Sequence, residues 1–206
     1  MNEAQRQTAA LEAYVAAGTH REMIYGDKLW GPSEELRSQL VAWIRSAERP
    51  GIAALEIGCG GGRWTRYYCD RVALAWLVDA TPAAEQAILA HCEGPLRFLI
   101  SQDGSLPEIA AGAVDWCWSF DTFVHFHAEL FDRYLREIAR VLRPGGLLHL
   151  HYAVAWPGLR HDAACFQYRD RDELEALLCG LRLYATGRKI DCRAGFGSLM
   201  QEFRAG

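Results

Sequence analysis

Residues 52–62 read IAALEIGCGGG, an apolar run that breaks into glycines. Its first half, Ile52 to Ile57, is a short apolar run of the kind found in strands buried on both faces. The cluster Gly58 to Gly62 then opens a predicted helix from about Arg63 to Cys69. In α/β sheets such a turn lies at the carboxyl edge, where ligands bind at the switch point. Gly58 and Gly60 let the backbone turn sharply and leave no Cβ in a ligand's way. The free N–H groups of a following helix favour an anionic group there. Asp79 ends the next strand-like run about 20 residues on, where a carboxylate can accept both hydroxyls of a ribose. The pattern implies a nucleoside-containing cofactor.

On either side of this segment strand and helix periods alternate. Leu74 to Val78 reads as a strand, Pro82 to His91 as a helix, and Leu96 to Ile100 and Val114 to Phe120 as strands. Ala128 to Leu142 is the clearest helix, with Leu130, Tyr134, Leu135, Ile138 and Leu142 apolar. Pro144, Gly145 and Gly146 stop it, and a strand follows over Leu147 to Tyr152. Upstream, residues 2–17 read as a helix ended by Gly18. A second helix starts at Ser33 with Glu34 and Glu35 in its first turn and an apolar face of Leu36, Leu40, Val41 and Ile44. Downstream, a loop with Trp156, Pro157 and Gly158 leads to a helix near 170–179. Two strand-like stretches, Leu181 to Ile190 and Phe196 to Phe203, then close one edge as an antiparallel pair. Strands alternating with helices imply right-handed crossovers and a doubly wound parallel sheet with helices on both faces.

Composition narrows the class. The 206 residues are 50% apolar and 23% charged, as in a globular domain. A single domain over 1–206 is expected: a helical cover (1–50), a cofactor-binding core (51–152), and a substrate loop with an antiparallel edge (153–206). Twenty-two Lys and Arg against twenty-six Asp and Glu leave a net charge of −4. That balance argues against a nucleic-acid partner, since such affinity rests on neutralising phosphates. Seven cysteines without a C-x-x-C pair suggest free thiols in a reducing compartment. The first residues do not read as a signal peptide, and no apolar run approaches the roughly 20 residues that span a bilayer. A cytoplasmic protein with no membrane partner is the expectation.

The glycine pattern does not fit a dinucleotide fingerprint, because Arg63 and Trp64 are too large for close helix–strand packing where a third glycine is needed. A P-loop is excluded, since no Lys-Ser/Thr pair follows the glycines. Over residues 52–152 the chain resembles the class I S-adenosylmethionine-dependent methyltransferases of small-molecule type. LEIGCGGG is similar to the family's first motif, VDA at Val78 to Ala80 to its second-strand acid, and SQDGSLP to its third-strand loop. VDWCWSFDTFVHF is similar to the fourth-strand segment, and YLREIARVLRPGGLLHLHY to the helix and fifth strand. The resemblance implies a Rossmann-like, seven-stranded, mostly parallel sheet with an antiparallel last strand. It implies S-adenosyl-L-methionine as cofactor, with Glu56, Gly58 and Gly60 at its methionine end. Asp79 and Ala80 then stand at the ribose, Asp103 and Gly104 at the adenine, and Ser119 and Phe120 near the methionine part. Because this cofactor has no pyrophosphate, a third glycine is dispensable. Its carboxylate can use the helix N-terminus. Asp103 also reads as an ordinary Asp-Gly turn residue, and Glu56 as a structural cap.

Methyl transfer is an in-line displacement at carbon, so the protein mainly aligns reactants and excludes water. A base is needed only where the acceptor holds its proton near neutral pH. His125 is the first candidate, then Asp121; His151, His127 and His149 lie in the same stretches. Each also reads as a wall or helix-capping residue. The two His-x-His pairs raise a metal reading, but imidazole pairs suit zinc or iron and not the oxygen-bound magnesium of catechol-type enzymes, so no metal is assigned. Tyr25, Trp30, Trp156 and Arg160 are candidates to line an enclosed pocket for a small acceptor, with a hydroxyl oxygen favoured by the His and Asp supply. Transfer to a small amine, to a nucleic acid or to a protein, and a non-catalytic cofactor-binding protein, are the competing readings. The nucleic-acid reading lacks the expected Pro-Pro-aromatic motif, since SFDT stands there.

Overall fold

The computed structural model describes residues 33–90, 92–155, 166–193 and 196–206. The helix expected over 2–17 lies outside them. The chain divides into two compact units, 1–102 and 103–206.

In the first unit, helix α1 (Glu34–Ala47) begins where its capping signal places it, with Ser33 Oγ accepting the Leu36 amide at 3.2 Å. Its buried face is Leu40, Trp43, Ile44 and Ala47. Leu36 and Val41 are only half-buried, so the stripe is rotated from the expected one. Strands β1 (Ala53–Ile57), β2 (Leu74–Asp79) and β3 (Leu96–Ile100) pair in parallel with β2 in the middle. The register sets Ile57 beside Val78 and Asp79 beside Ile100, so β1 and β2 finish at the same edge. Helix α2 (Pro82–Leu89) returns the chain between β2 and β3, capped by Thr81 with proline in its first turn.

One expected element is absent. The segment after the glycines forms turns and a short 3₁₀ helix (Thr65–Tyr67), not an α-helix over Arg63 to Cys69. The Tyr67 and Tyr68 amides donate three residues back, to Trp64 and Thr65. The side chains that turn inward, Thr65 and Tyr68, hold this tighter winding. No long helix dipole therefore faces the loop, and the anion-binding argument from a helix N-terminus does not carry.

In the second unit, β4 (Val114–Ser119) pairs in parallel with the long β5 (Leu142–Ala155). Helix α3 (Ala128–Val141) precedes β5 and buries Phe131, Tyr134, Leu135, Ile138 and Val141. The chain passes from α3 into β5 at Leu142, so Pro144-Gly145-Gly146 lies inside the strand, beside a register shift between Val114 and Trp116. Strand β6 (Arg169–Asp170) adds two residues beside the end of β5. Asp170 then caps helix α4 (Arg171–Gly180) through the Asp172 and Glu173 amides. Strands β7 (Leu183–Arg193) and β8 (Ser198–Ala205) form an antiparallel pair, and β8 runs antiparallel to β5. The last strand thus lies between β5 and β7, as the antiparallel edge predicted. Among the described residues no helix is long and apolar enough to cross a membrane.

Candidate functional site

In the first unit, a single carboxylate organises the glycine loop. The Gly58 and Cys59 amides donate to the Val78 carbonyl at 2.8 and 3.2 Å, which seats the loop on the end of β2. Asp79 follows at once. Its Oδ2 accepts the Gly60 amide at 2.9 Å and its Oδ1 the Ala80 amide at 2.8 Å. Burial raises the Asp79 pKa, and bonds from the Gly60, Ala80 and Thr81 amides oppose that rise. Gly60 has φ +50, and a Cβ built there would meet nothing within 4 Å. The backbone demands glycine, and the space over it is open to a ligand.

Glu56 stands behind this loop. It is 1% exposed, and its Oε2 accepts the Thr65 hydroxyl at 2.6 Å and the Tyr68 hydroxyl at 2.7 Å. Burial dominates these two bonds and pushes its pKa up to about 7. The geometry makes Glu56 the tie between β1 and the turn that follows the glycines. Thr65 and Tyr68 were not singled out in the sequence. Buried hydroxyls nine and twelve residues from an isolated strand acid were the available signal.

In the second unit, Asp103 accepts both the Ser105 amide at 3.0 Å and the Ser105 hydroxyl at 2.7 Å, and these bonds lower its pKa. Asp103, Gly104 and Ser105 form the side-chain-stabilised turn that an Asp-Gly pair predicts. Gly104 packs against α3, where a Cβ would stand 3.1 Å from Arg133 Cβ. Ser119 and Phe120 are buried at the end of β4. Phe120 stacks on His151 with ring centroids 4.4 Å apart.

The polar cluster beyond β4 has a definite order. Asp121 takes a left-handed φ of 64°, a strained position for a non-glycine residue. Its amide donates to His151 Nδ1 at 3.0 Å, and His151 Nε2 lies 2.8 Å from Ser198 Oγ. With Nδ1 accepting, the His151 proton sits on Nε2 and is donated to Ser198. Burial drives the His151 pKa down to about 3. Both ring nitrogens are engaged, and the bond from the Asp121 amide ties the Asp121 turn to β5. His125 ends the short 3₁₀ helix Phe123–His125 and keeps 17% of its side chain exposed. Its Nε2 lies 4.0 Å from Asp121 Oδ1, and its ring meets Phe166 edge-on at 5.8 Å.

The other two candidate histidines, His127 and His149, have structural partners. His127 caps α3, its Nδ1 accepting the Leu130 amide at 3.4 Å. His149 is fully buried inside the sheet. The Trp116 indole donates to its Nδ1 at 3.2 Å, and its Nε2–H donates to Glu202 Oε2 at 2.9 Å. Burial lowers the His149 pKa, whereas the bond from His149 holds Glu202 down at about 2. Among the described residues no group of His, Cys, Asp or Glu is arranged to hold a metal ion. The acceptor-side candidates Tyr25, Trp30, Trp156 and Arg160 lie outside the described residues.

Residues 55–150 match the family model described as a methyltransferase domain. Human thiol S-methyltransferase TMT1A is 27% identical over 139 residues, covering 65% of this chain and 54% of that protein. Malonyl-[acyl-carrier protein] O-methyltransferase of Methylococcus capsulatus is 33% identical over 126 residues, covering 55% and 42%. The chain spans about half the length of the curated relatives it matches. Among solved structures, magnesium protoporphyrin IX methyltransferase from Synechocystis PCC 6803, with bound SAH, is 17% identical. It aligns with a TM-score of 0.69 over 97% of this chain and 100% of that one. The likeness shows the fold: Rossmann-like α/β, mostly parallel, with an antiparallel C-terminal strand.

Proposed function

We propose that this chain, which matches the methyltransferase-domain family model over residues 55–150, is an S-adenosylmethionine-dependent methyltransferase acting on the hydroxyl oxygen of a small acceptor. One observation carries the cofactor reading. The Asp79 carboxylate is fixed by the Gly60 and Ala80 amides at the end of β2, beside a glycine above which the space is open. The amides fix the carboxylate's orientation, and the acceptor capacity it retains suits ribose hydroxyls. Gly58 and Gly60 leave the methionine end unobstructed. Glu56 acts one step behind, holding the turn through Thr65 and Tyr68. Asp103 and Gly104 are assigned to the adenine and Ser119 and Phe120 to the methionine part, on the family resemblance.

The bound cofactor supplies an activated methyl group on a sulfonium, a good leaving group. The chain's own task is to align the acceptor, exclude water and accept a proton. His125 is assigned as the base. It is partly exposed, and the Asp121 carboxylate at 4.0 Å from Nε2 stabilises the imidazolium formed when the ring takes a hydroxyl proton. His151 and Ser198 position Asp121 for that task. The His–Asp pair supports a hydroxyl acceptor over an amine, and the net charge of −4 supports a small molecule over nucleic acid.

The test is a turnover assay with methyl-labelled cofactor and a panel of small phenols, alcohols, carboxylic acids, amines and thiols. Label transferred to oxygen is expected. Transfer confined to amines or thiols overturns the acceptor assignment, and cofactor bound without transfer to any member favours a non-catalytic protein.

A further inference from the structure

In the second unit, helix α4 packs on β7 with Leu174 and Leu178 buried. Beside the helix opens a cavity of about 960 Å³, within the range of small-ligand sites. Its floor is Tyr152 of β5, Leu199 and Phe203 of β8, and Ala185 of β7. Side chains alternate along a strand, so this floor faces away from His151 and Ser198, the chain neighbours of Tyr152 and Leu199. Polar groups interrupt the apolar surface at one place. The Tyr152 hydroxyl donates to Gln201 Oε1, and burial raises the Tyr152 pKa, so the phenol keeps its proton. That bond fixes the orientation of the amide and leaves both N–H groups of Nε2 to donate. Among the described residues Gln201 Nε2 has no hydrogen-bond partner. Lys189 stands opposite Gln201 in the β7–β8 register and lines the same cavity. It is exposed and, among the described residues, forms no ion pair. The other charges on the rim are engaged: Arg171 pairs with Glu175 at 2.9 Å, and Asp191 Oδ1 accepts the Arg193 amide at 3.2 Å.

We propose that this groove binds a free monocarboxylate of fatty-acid type, its chain on Phe203, Leu199 and Ala185 and its carboxylate on Lys189 and Gln201 Nε2. Burial of the chain against leucine and phenylalanine drives association. The ammonium and the amide N–H groups then satisfy the carboxylate oxygens as charge-assisted donors. A single negative charge matches a single ammonium. Asp191 and Glu175 on the same rim oppose a dianion such as a phosphate monoester.

The experiment titrates decanoate into the protein, below the concentration at which decanoate self-associates, and follows methyl signals by NMR. Expected is saturable binding that shifts the Ala185, Leu199 and Val154 signals and weakens with added salt. Acetate lacks the chain and decanol the charge, and each binds about tenfold more weakly or worse. Lys189→Glu weakens decanoate binding by about tenfold, the loss of one charge-assisted hydrogen bond. Ala185→Trp, at an exposed strand position where an aromatic is tolerated, fills the groove and abolishes binding. The wild-type shift map stands without either variant. No saturable binding, equal affinity for decanol or acetate, binding that survives Ala185→Trp, or shifts confined to Val124 and its neighbours overturns the proposal. So does a dimer whose contact covers Ala185 and Leu199, since a second copy then fills the groove. A response to anionic vesicles alone overturns it as well, the occupant then being a membrane surface. The readout needs neither cofactor nor methyl acceptor, so it stands or falls independently of methyl transfer.

Discussion

Glu56 gives the structure its sharpest thermodynamic consequence. Its carboxyl is fully buried and its pKa is pushed up from 4.5 to about 7, with burial outweighing the bonds from Thr65 and Tyr68. Each tenfold change in proton affinity is worth about 1.4 kcal/mol, so this displacement amounts to about 3 kcal/mol. The sign follows from linkage: the folded protein holds this proton more tightly than the unfolded chain. The contribution is fully present below about 4.5 and is lost as pH rises through about 7. Glu56→Gln removes the titration and keeps a side-chain oxygen able to accept the two hydroxyls. Urea unfolding of both proteins from about pH 5 to pH 8 isolates the effect, because every other titrating group is common to the two. The variant is expected to gain on the wild type as pH rises, by about 3 kcal/mol across that span. Parallel stability curves would refute the reasoning, since they would mean that Glu56 titrates alike in the folded and unfolded chains.

Other consequences are equally direct. Gly60→Ala places a methyl group at φ +50 in the open space over the loop. It should cost roughly 1–2 kcal/mol in thermal unfolding from backbone strain, and it should weaken cofactor binding further, which calorimetry reads. His125→Ala should lower turnover with the true acceptor far more than cofactor affinity; unchanged turnover would reduce it to a wall residue. Glu202, held at about 2 by His149, contributes stability above its ordinary carboxylate range that is lost as pH falls toward 2. Glu202→Gln should therefore be less stable than wild type at neutral pH, with the difference closing in acid unfolding curves.

The sequence made regular elements legible where local chemistry dictates them. Strand Leu96–Ile100 was placed to the residue, and helices began where Ser33 and the proline at 82 put them. The reading failed where distant side chains override local pattern. The segment from Arg63 looked helical, but Thr65 and Tyr68 are drawn to Glu56 across nine and twelve residues and wind the turn more tightly. The hydrogen-bond partners of His151 are equally distant in sequence. Its partner Ser198, 47 residues away, is what occupies its second nitrogen. The helix does end just before Pro144-Gly145-Gly146, but the strand expected from Leu147 already begins at Leu142 and takes these residues in as an irregularity. The glycine loop and Asp79 were readable together because both follow directly from consecutive strands that end at one edge.

Asp79 is where the account can be tested most directly. Titration of S-adenosylmethionine into the wild-type protein and into Asp79→Asn, followed by calorimetry, should show saturable binding that the substitution weakens by roughly 1.5–3 kcal/mol, the worth of hydrogen bonds to a charged acceptor. Equal affinity in the two proteins, or no binding to the wild type, would contradict the claim that this carboxylate grips the cofactor's ribose.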